Sequence, residues 1–174
     1  MATRLAVVLI LLSSAIQVRA ESVAAEQEHR LRLYHTHTGE HLDLVYRRAA
    51  AYIPEALAQL DRFLRDSRTG EVDHYDPRVF DLLSDLTAAV GRPAAEIQVI
   101  CGYRTPGSNE YLRTHTTGVS RNSLHMQAEA IDIRLPGVKT ADLRNVALSL
   151  GRGGVGYYPS SNFIHVDVGR VRRW

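Results

Sequence analysis

His125, Asp132 and His165 are the residues of this chain whose types and contexts best suit chemistry. Two stand in Ser123-Leu124-His125-Met126-Gln127-Ala128-Glu129-Ala130-Ile131-Asp132, the third in Phe163-Ile164-His165-Val166-Asp167. Imidazole and carboxylate groups are the donors of a catalytic zinc, which takes three of them and keeps a fourth position for water. A structural zinc would use four donors, commonly several cysteines, and the chain has one Cys. Water activated on such a metal is the reagent of a hydrolase.

The spacing restricts the elements that could carry these donors. His125 and Asp132 are seven residues apart; on one helix that is two turns and about 10 Å of rise, too far to share an ion. A loop holding His125 followed by a strand holding Asp132 would let the chain double back. His165 must then come from a neighbouring strand, where 165 and 167 share one face and Val166 and Val168 take the other.

The remaining elements follow from periodicity and turn residues. Leu31, Leu33, Leu42, Leu44 and Tyr46 alternate around Thr38-Gly39-Glu40, as in a hairpin. Leu57, Leu60, Phe63 and Leu64 predict a helix over Pro54–Asp66, and Val79, Leu82, Leu83 and Leu86 a second one opened by Asp76-Pro77. A strand ends at Cys101, a turn-rich Gly102–Ser108 follows, and Asn109–Thr114 is a short helix. Strands over 128–133, 153–157 and 162–168 enclose a helix over Thr140–Leu150. This order predicts one α+β domain over 31–174, with a small antiparallel sheet carrying the site and helices flanking it.

Other reactive side chains have plainer expectations. His35 and His37 belong on the solvated face of the hairpin, and His115 in a polar loop. Cys101, alone and at the end of an apolar run, reads as a small buried residue. Ser123 lacks a Gly-x-Ser-x-Gly elbow and is expected to shape its loop. Arg104 carries a planar fork suited to a substrate carboxylate or a developing oxyanion, or to a structural ion pair. Tyr157 and Tyr158 either line a cleft or pack against it.

The first twenty residues read as a secretory signal. Arg4, the apolar run Leu5–Leu12 and Val18-Arg19-Ala20 form its three regions, with cleavage after Ala20. The run is too short to span a bilayer, so no stable membrane anchor is expected. Residues 21–30 read as a flexible tail. The whole chain has 21 basic and 19 acidic residues; without Arg4 and Arg19 the count is 19 against 19, which removes any electrostatic case for nucleic-acid binding.

Four motifs together resemble the LAS-type zinc peptidases, the group of D-Ala-D-Ala peptidases and hedgehog-fold relatives. They are Gly102-Tyr103-Arg104, the box from Ser123 to Asp132, Gly153-Gly154-Val155-Gly156-Tyr157-Tyr158-Pro159, and Phe163-Ile164-His165-Val166-Asp167-x-Gly169 with Trp174. Within that group the chain is most similar to periplasmic murein endopeptidases, over essentially its whole mature length. The resemblance implies zinc on His125, Asp132 and His165 and carries the family's arginine over to Arg104, and Tyr157 is the tyrosine expected to meet substrate. It implies hydrolysis of peptide cross-links between peptidoglycan stem peptides in the periplasm. A D-Ala-D-Ala carboxypeptidase is the alternative, and a non-catalytic zinc-stabilised wall-binding module a second one. Two departures are Ala128, where many members have Gly, and Cys101, where Ser is common. The acidic residue or His that many relatives carry before the last ligand is replaced by Asn162 and Phe163, so Asp167 is the expected general base and Glu129 its rival.

Overall fold

The computed structural model describes residues 27–174. The expected signal peptide and most of the expected tail lie outside the described residues. The end of that tail is not a tail: Glu28–Arg30 open the first strand.

Alternation of apolar and polar residues builds β1 (Glu28–His35) and β2 (His41–Arg48), joined by the turn around Gly39, whose φ of 73° suits glycine. A two-residue β3 (Ala51–Tyr52) follows. Pro54 opens α1 (Pro54–Phe63) at its first turn. Helix α2 (Arg78–Ala89) begins after Asp76, whose carboxylate accepts the Arg78 N–H at 2.9 Å. Next come β4 (Glu96–Cys101), α3 (Pro106–His115), β5 (Ala130–Arg134), α4 (Thr140–Leu150), β6 (Gly154–Tyr158), β7 (Phe163–Asp167) and β8 (Arg172–Arg173).

The strands form one eight-stranded sheet in the order β3-β2-β1-β4-β5-β7-β6-β8. The expected small antiparallel sheet is therefore corrected to a larger mixed one: β1 pairs β4 in parallel, as β6 pairs β8, and the remaining pairs are antiparallel. The β1/β4 pairing fuses the N-terminal hairpin to the strands that carry the site.

One face of the sheet holds the core. Leu31, Leu33, Ile97, Val99, Ile131, Ile133, Ile164 and Val166 point into it, joined by Leu60, Leu64, Phe80, Leu83, Leu86 and Leu143 from the helical side. Each such side chain contributes about 1.5–3 kcal/mol by leaving water. The helices cover this face, which leaves residues of opposite parity free for the site. Among the described residues no helix is long and apolar enough to cross a membrane.

Candidate metal centre

Four strands place their residues in one cross-strand row. Cys101 on β4 stands opposite Asp132 on β5, Asp132 opposite His165 on β7, and His165 opposite Gly156 on β6. Cys101 reaches this row because the β4/β5 register shifts between Val99 and Cys101. Such a bulge re-aims the side chain that follows it, so Cys101 faces the site while Val99 faces the core. Cys101, expected as a small buried residue bordering the site, does border it, in a group with His125 and Asp132 that could hold a metal.

His125 enters from a 3-10 turn over Leu124–Gln127, closed by Ala128 at a left-handed φ of 51°. That conformation turns the chain into β5 and explains why glycine suits this position in relatives. The loop-then-strand geometry expected from the spacing is the one observed. Ser123 sits at the start of the turn, its carbonyl accepting the Met126 N–H at 3.1 Å.

The donor atoms converge. His125 Nε2 lies 3.2 Å from Asp132 Oδ1 and 3.1 Å from His165 Nδ1, and Asp132 Oδ1 lies 3.0 Å from His165 Nδ1. Donors about 2.0–2.1 Å from a tetrahedral ion stand about 3.4 Å from one another, so the triangle is close to that size. The outer ring nitrogens are held too: His125 Nδ1 donates to the Gly102 carbonyl at 2.8 Å and His165 Nε2 meets Asp167 Oδ2 at 3.0 Å. These bonds fix both ring orientations and leave the inner nitrogens as the ones that could meet a metal on losing any proton they carry. Cys101, His125 and Asp132 form an overlapping set, with donor atoms all within 4.8 Å of one another. The residues present thus fit a metal ion.

Charge holds the set together. Burial opposes ionisation of Asp132, but the His125 charge and hydrogen bonds from both histidines keep its carboxyl well below the usual range. Burial likewise opposes a charged His125, yet Asp132 raises it to about 10. Burial pushes the Cys101 thiol up, and the His125 and Arg104 charges bring it below its ordinary value.

Asp167, the expected general base, meets His165 on its outer ring nitrogen. It is fully buried and lies behind the His165 ring, on Nε2, whereas the inner donor is Nδ1. Its oxygens also accept from Arg172 at 2.7 and 3.0 Å, Gly154 N at 2.8 Å and Gly169 N at 3.0 Å. With every lone pair so engaged, the geometry is that of an acceptor orienting His165. Glu129 does not line the cleft over the donors either, and among the described residues Asp132 is its only carboxylate.

That cleft has a volume of about 780 Å³, within the range of small-ligand sites. Arg104 flanks it but is only 8% exposed, with Nη1 on Asn109 at 3.1 Å, Nη2 on Cys101 at 3.3 Å, and Asp132 Oδ2 at 3.9 Å. Its Nε is buried without a partner among the described residues. Tyr158 lines the cleft; Tyr157 lines a second hollow on the other side of Trp174, together with Arg144 and Arg173.

Trp174 is the contributor that periodicity could not reveal. Its ring lies 5.1 Å from the His165 ring, its Nε1 donates to Tyr158 OH at 2.9 Å, and it fills the space a side chain at Gly156 would need. His35 departs from expectation: it is buried, edge-on to Phe63 at 5.7 Å, and burial lowers its pKa. His37 lies on the cleft wall, and His115 stacks on Tyr111 away from it.

Comparison with known proteins supplies the family. Residues 23–174 match the peptidase M15_2 family model, described as peptidoglycan L,D-endopeptidase MepK. The chain belongs to this metallopeptidase family. It is 44% identical over 137 residues to the "probable peptidoglycan L,D-endopeptidase MepK" of Haemophilus influenzae, covering 79% of this chain and 74% of the relative. It is 40% identical over 144 residues to the peptidoglycan L,D-endopeptidase MepK of Escherichia coli K12, covering 83% and 79%. It is thus a MepK-like murein hydrolase, and the endopeptidase expectation, not the carboxypeptidase alternative, is the family's.

Proposed function

We propose that the centre binds zinc through His125 Nε2, Asp132 Oδ1 and His165 Nδ1, and that the protein cuts peptide cross-links between peptidoglycan stem peptides in the periplasm. The observation that carries this is the triangle of inner donors, each 3.0–3.2 Å from the others, with both outer ring nitrogens already bonded to oxygen. Two nitrogens and one oxygen suit zinc. Cys101, grouped with His125 and Asp132 within 4.8 Å, borders this set.

A bound zinc supplies a water of lowered pKa and polarises the scissile carbonyl. The protein's part is to hold and orient. Gly102 and Asp167 lock the two imidazoles, and Arg172 in turn holds Asp167 with both terminal nitrogens. Arg104 brings a fixed positive charge beside Asp132 and an unspent N–H, which suit the oxyanion that develops on the substrate carbonyl. Tyr158, stacked on Phe163 at 4.6 Å, and Trp174 offer an aromatic wall to the substrate.

The test is incubation of the metal-loaded protein with intact sacculi, with and without chelator, followed by mass spectrometry of released muropeptides. Chelator-sensitive opening of stem-to-stem links is expected. Release of terminal D-Ala alone would transfer the activity to the carboxypeptidase alternative, and no release would favour a binding module.

A further inference from the structure

Three arginines line the cleft, and two are engaged. Arg172 gives both terminal nitrogens to Asp167; Arg104 gives one to Asn109 and one to Cys101. The Arg68 side chain has no hydrogen-bond, ion-pair or ring partner among the described residues. Its one bond is from its backbone N–H to Asp66 Oδ1 at 2.9 Å.

The loop that presents Arg68 is tightly fixed. Asp66 is 1% exposed, and its second oxygen accepts both Thr105 N at 2.8 Å and Thr105 Oγ1 at 2.9 Å. Asp66 N donates to Glu71 O and Gly70 N to Asp66 O, closing the loop on itself. Thr105 follows Arg104 and caps α3, accepting Ser108 N at 3.1 Å. One buried carboxylate therefore ties the Arg68 loop to the turn that sets Arg104. His37, Ser67 and Arg68 line the cleft without an acidic group among them, while Tyr158 of β6, Phe163 of β7 and Trp174 after β8 supply its aromatic lining.

We propose that Arg68 binds a free carboxylate of the substrate peptide in the cleft of the metal centre, so that the enzyme selects carboxylate-bearing stem peptides over amidated ones. A guanidinium on a fixed loop, beside neutral hydroxyl and imidazole groups, lacks a counter-charge that a carboxylate supplies in bidentate form. A carboxamide offers one acceptor and no charge. This proposal rests on the assignment of the cleft to peptidoglycan peptides.

The experiment uses two synthetic cross-linked stem peptides that differ only in a free carboxylate replaced by carboxamide. Hydrolysis by the zinc-loaded protein, and binding to the chelator-treated protein by calorimetry, are measured for wild type, Arg68→Gln, Arg68→Lys and, as a control outside the cleft, Arg62→Gln. Wild type and Arg62→Gln should favour the carboxylate peptide about tenfold, mostly in KM and Kd. Arg68→Gln should treat the two alike, and Arg68→Lys should fall between, with zinc content and Tm unmoved. Retained preference in Arg68→Gln, or none in wild type, would overturn the proposal while hydrolysis itself persists. Preference in binding that Arg68→Gln abolishes, with no hydrolysis by wild type, would uphold Arg68 and reject the peptidase assignment.

Discussion

Asp132 and His165 face each other across the β5/β7 ladder as direct partners, with Asp132 Oδ1 3.0 Å from His165 Nδ1. Directly opposed residues keep their Cβ atoms about 4.5–5.5 Å apart, so sheet register alone brings two donors to one point. Only His125 has to be delivered by a loop.

Elemental analysis should therefore separate donors from neighbours. His125→Ala and His165→Ala should lose the metal, whereas Cys101→Ser, His35→Ala and His37→Ala should keep it in the folded fraction. Full occupancy in His125→Ala would sink the donor assignment, and loss in Cys101→Ser would move it to the thiol-containing set.

Asp167→Asn removes the charge that faces both His165 and Arg172. Metal affinity should fall about 10- to 100-fold, the usual worth of an outer partner, and the melting temperature should drop because the buried carboxylate that pairs with Arg172 is lost. At saturating zinc, turnover should largely recover. A rate loss of 10²-fold or more with full metal would restore Asp167 as a base. Glu129→Gln should leave both properties near wild type.

Arg104→Lys should cost at least tenfold in kcat/KM, about 1.4 kcal/mol of barrier, since the planar fork is lost. Its burial and its bonds to Asn109 and Cys101 add a second expectation: the melting temperature falls as well. Unchanged stability with lost activity would confine Arg104 to the substrate.

Zinc uptake should release a proton. Asp132 holds His125 near pKa 10 in the metal-free protein, so at neutral pH an incoming ion displaces that proton. Apparent affinity should climb about tenfold per pH unit towards 10, and calorimetry in two buffers should count one proton at pH 7. The sign for stability is opposite. A raised imidazole stabilises the metal-free fold fully below its ordinary 6.5 and fades towards 10, while the depressed Asp132 adds stability above its ordinary 3.8 that acid removes. The metal-free protein should melt highest between those two ordinary values.

Gly156→Ala would put a methyl 2.7 Å from the Trp174 ring, displacing it from His165. Trp174 is the chain's one tryptophan, so its fluorescence reports the move directly: emission should shift to the red and activity fall. An unshifted spectrum would mean the ring is not held there.

That His125, Asp132 and His165 belong together was legible in the sequence because each sits in a short local motif. What could not be read depends on contacts distant along the chain. Parallel pairing of β1 with β4 leaves no local trace, and the two-residue β3 and β8 are too short for any periodicity. Asp167 was placed on the right strand face, but a face does not say which ring nitrogen of His165 it meets. Cys101 read as a small residue beside the site, and the register shift that sets it opposite Asp132 leaves no mark in the sequence. The burial of Arg104 depends on Asn109 and α3, which its own motif does not describe.

The short outer strands have a further consequence. An open sheet margin is a template for pairing with another chain. Here β8 covers β6 at Gly154 and Val155, and β3 covers β2 at Arg47 and Arg48. Two residues offer too few free backbone groups to nucleate a new ladder, and the stretch of β2 that no described strand covers exposes His41 and Asp43. The protein should accordingly resist edge-to-edge aggregation when concentrated, and lengthening either margin with apolar residues should make it fibre-prone.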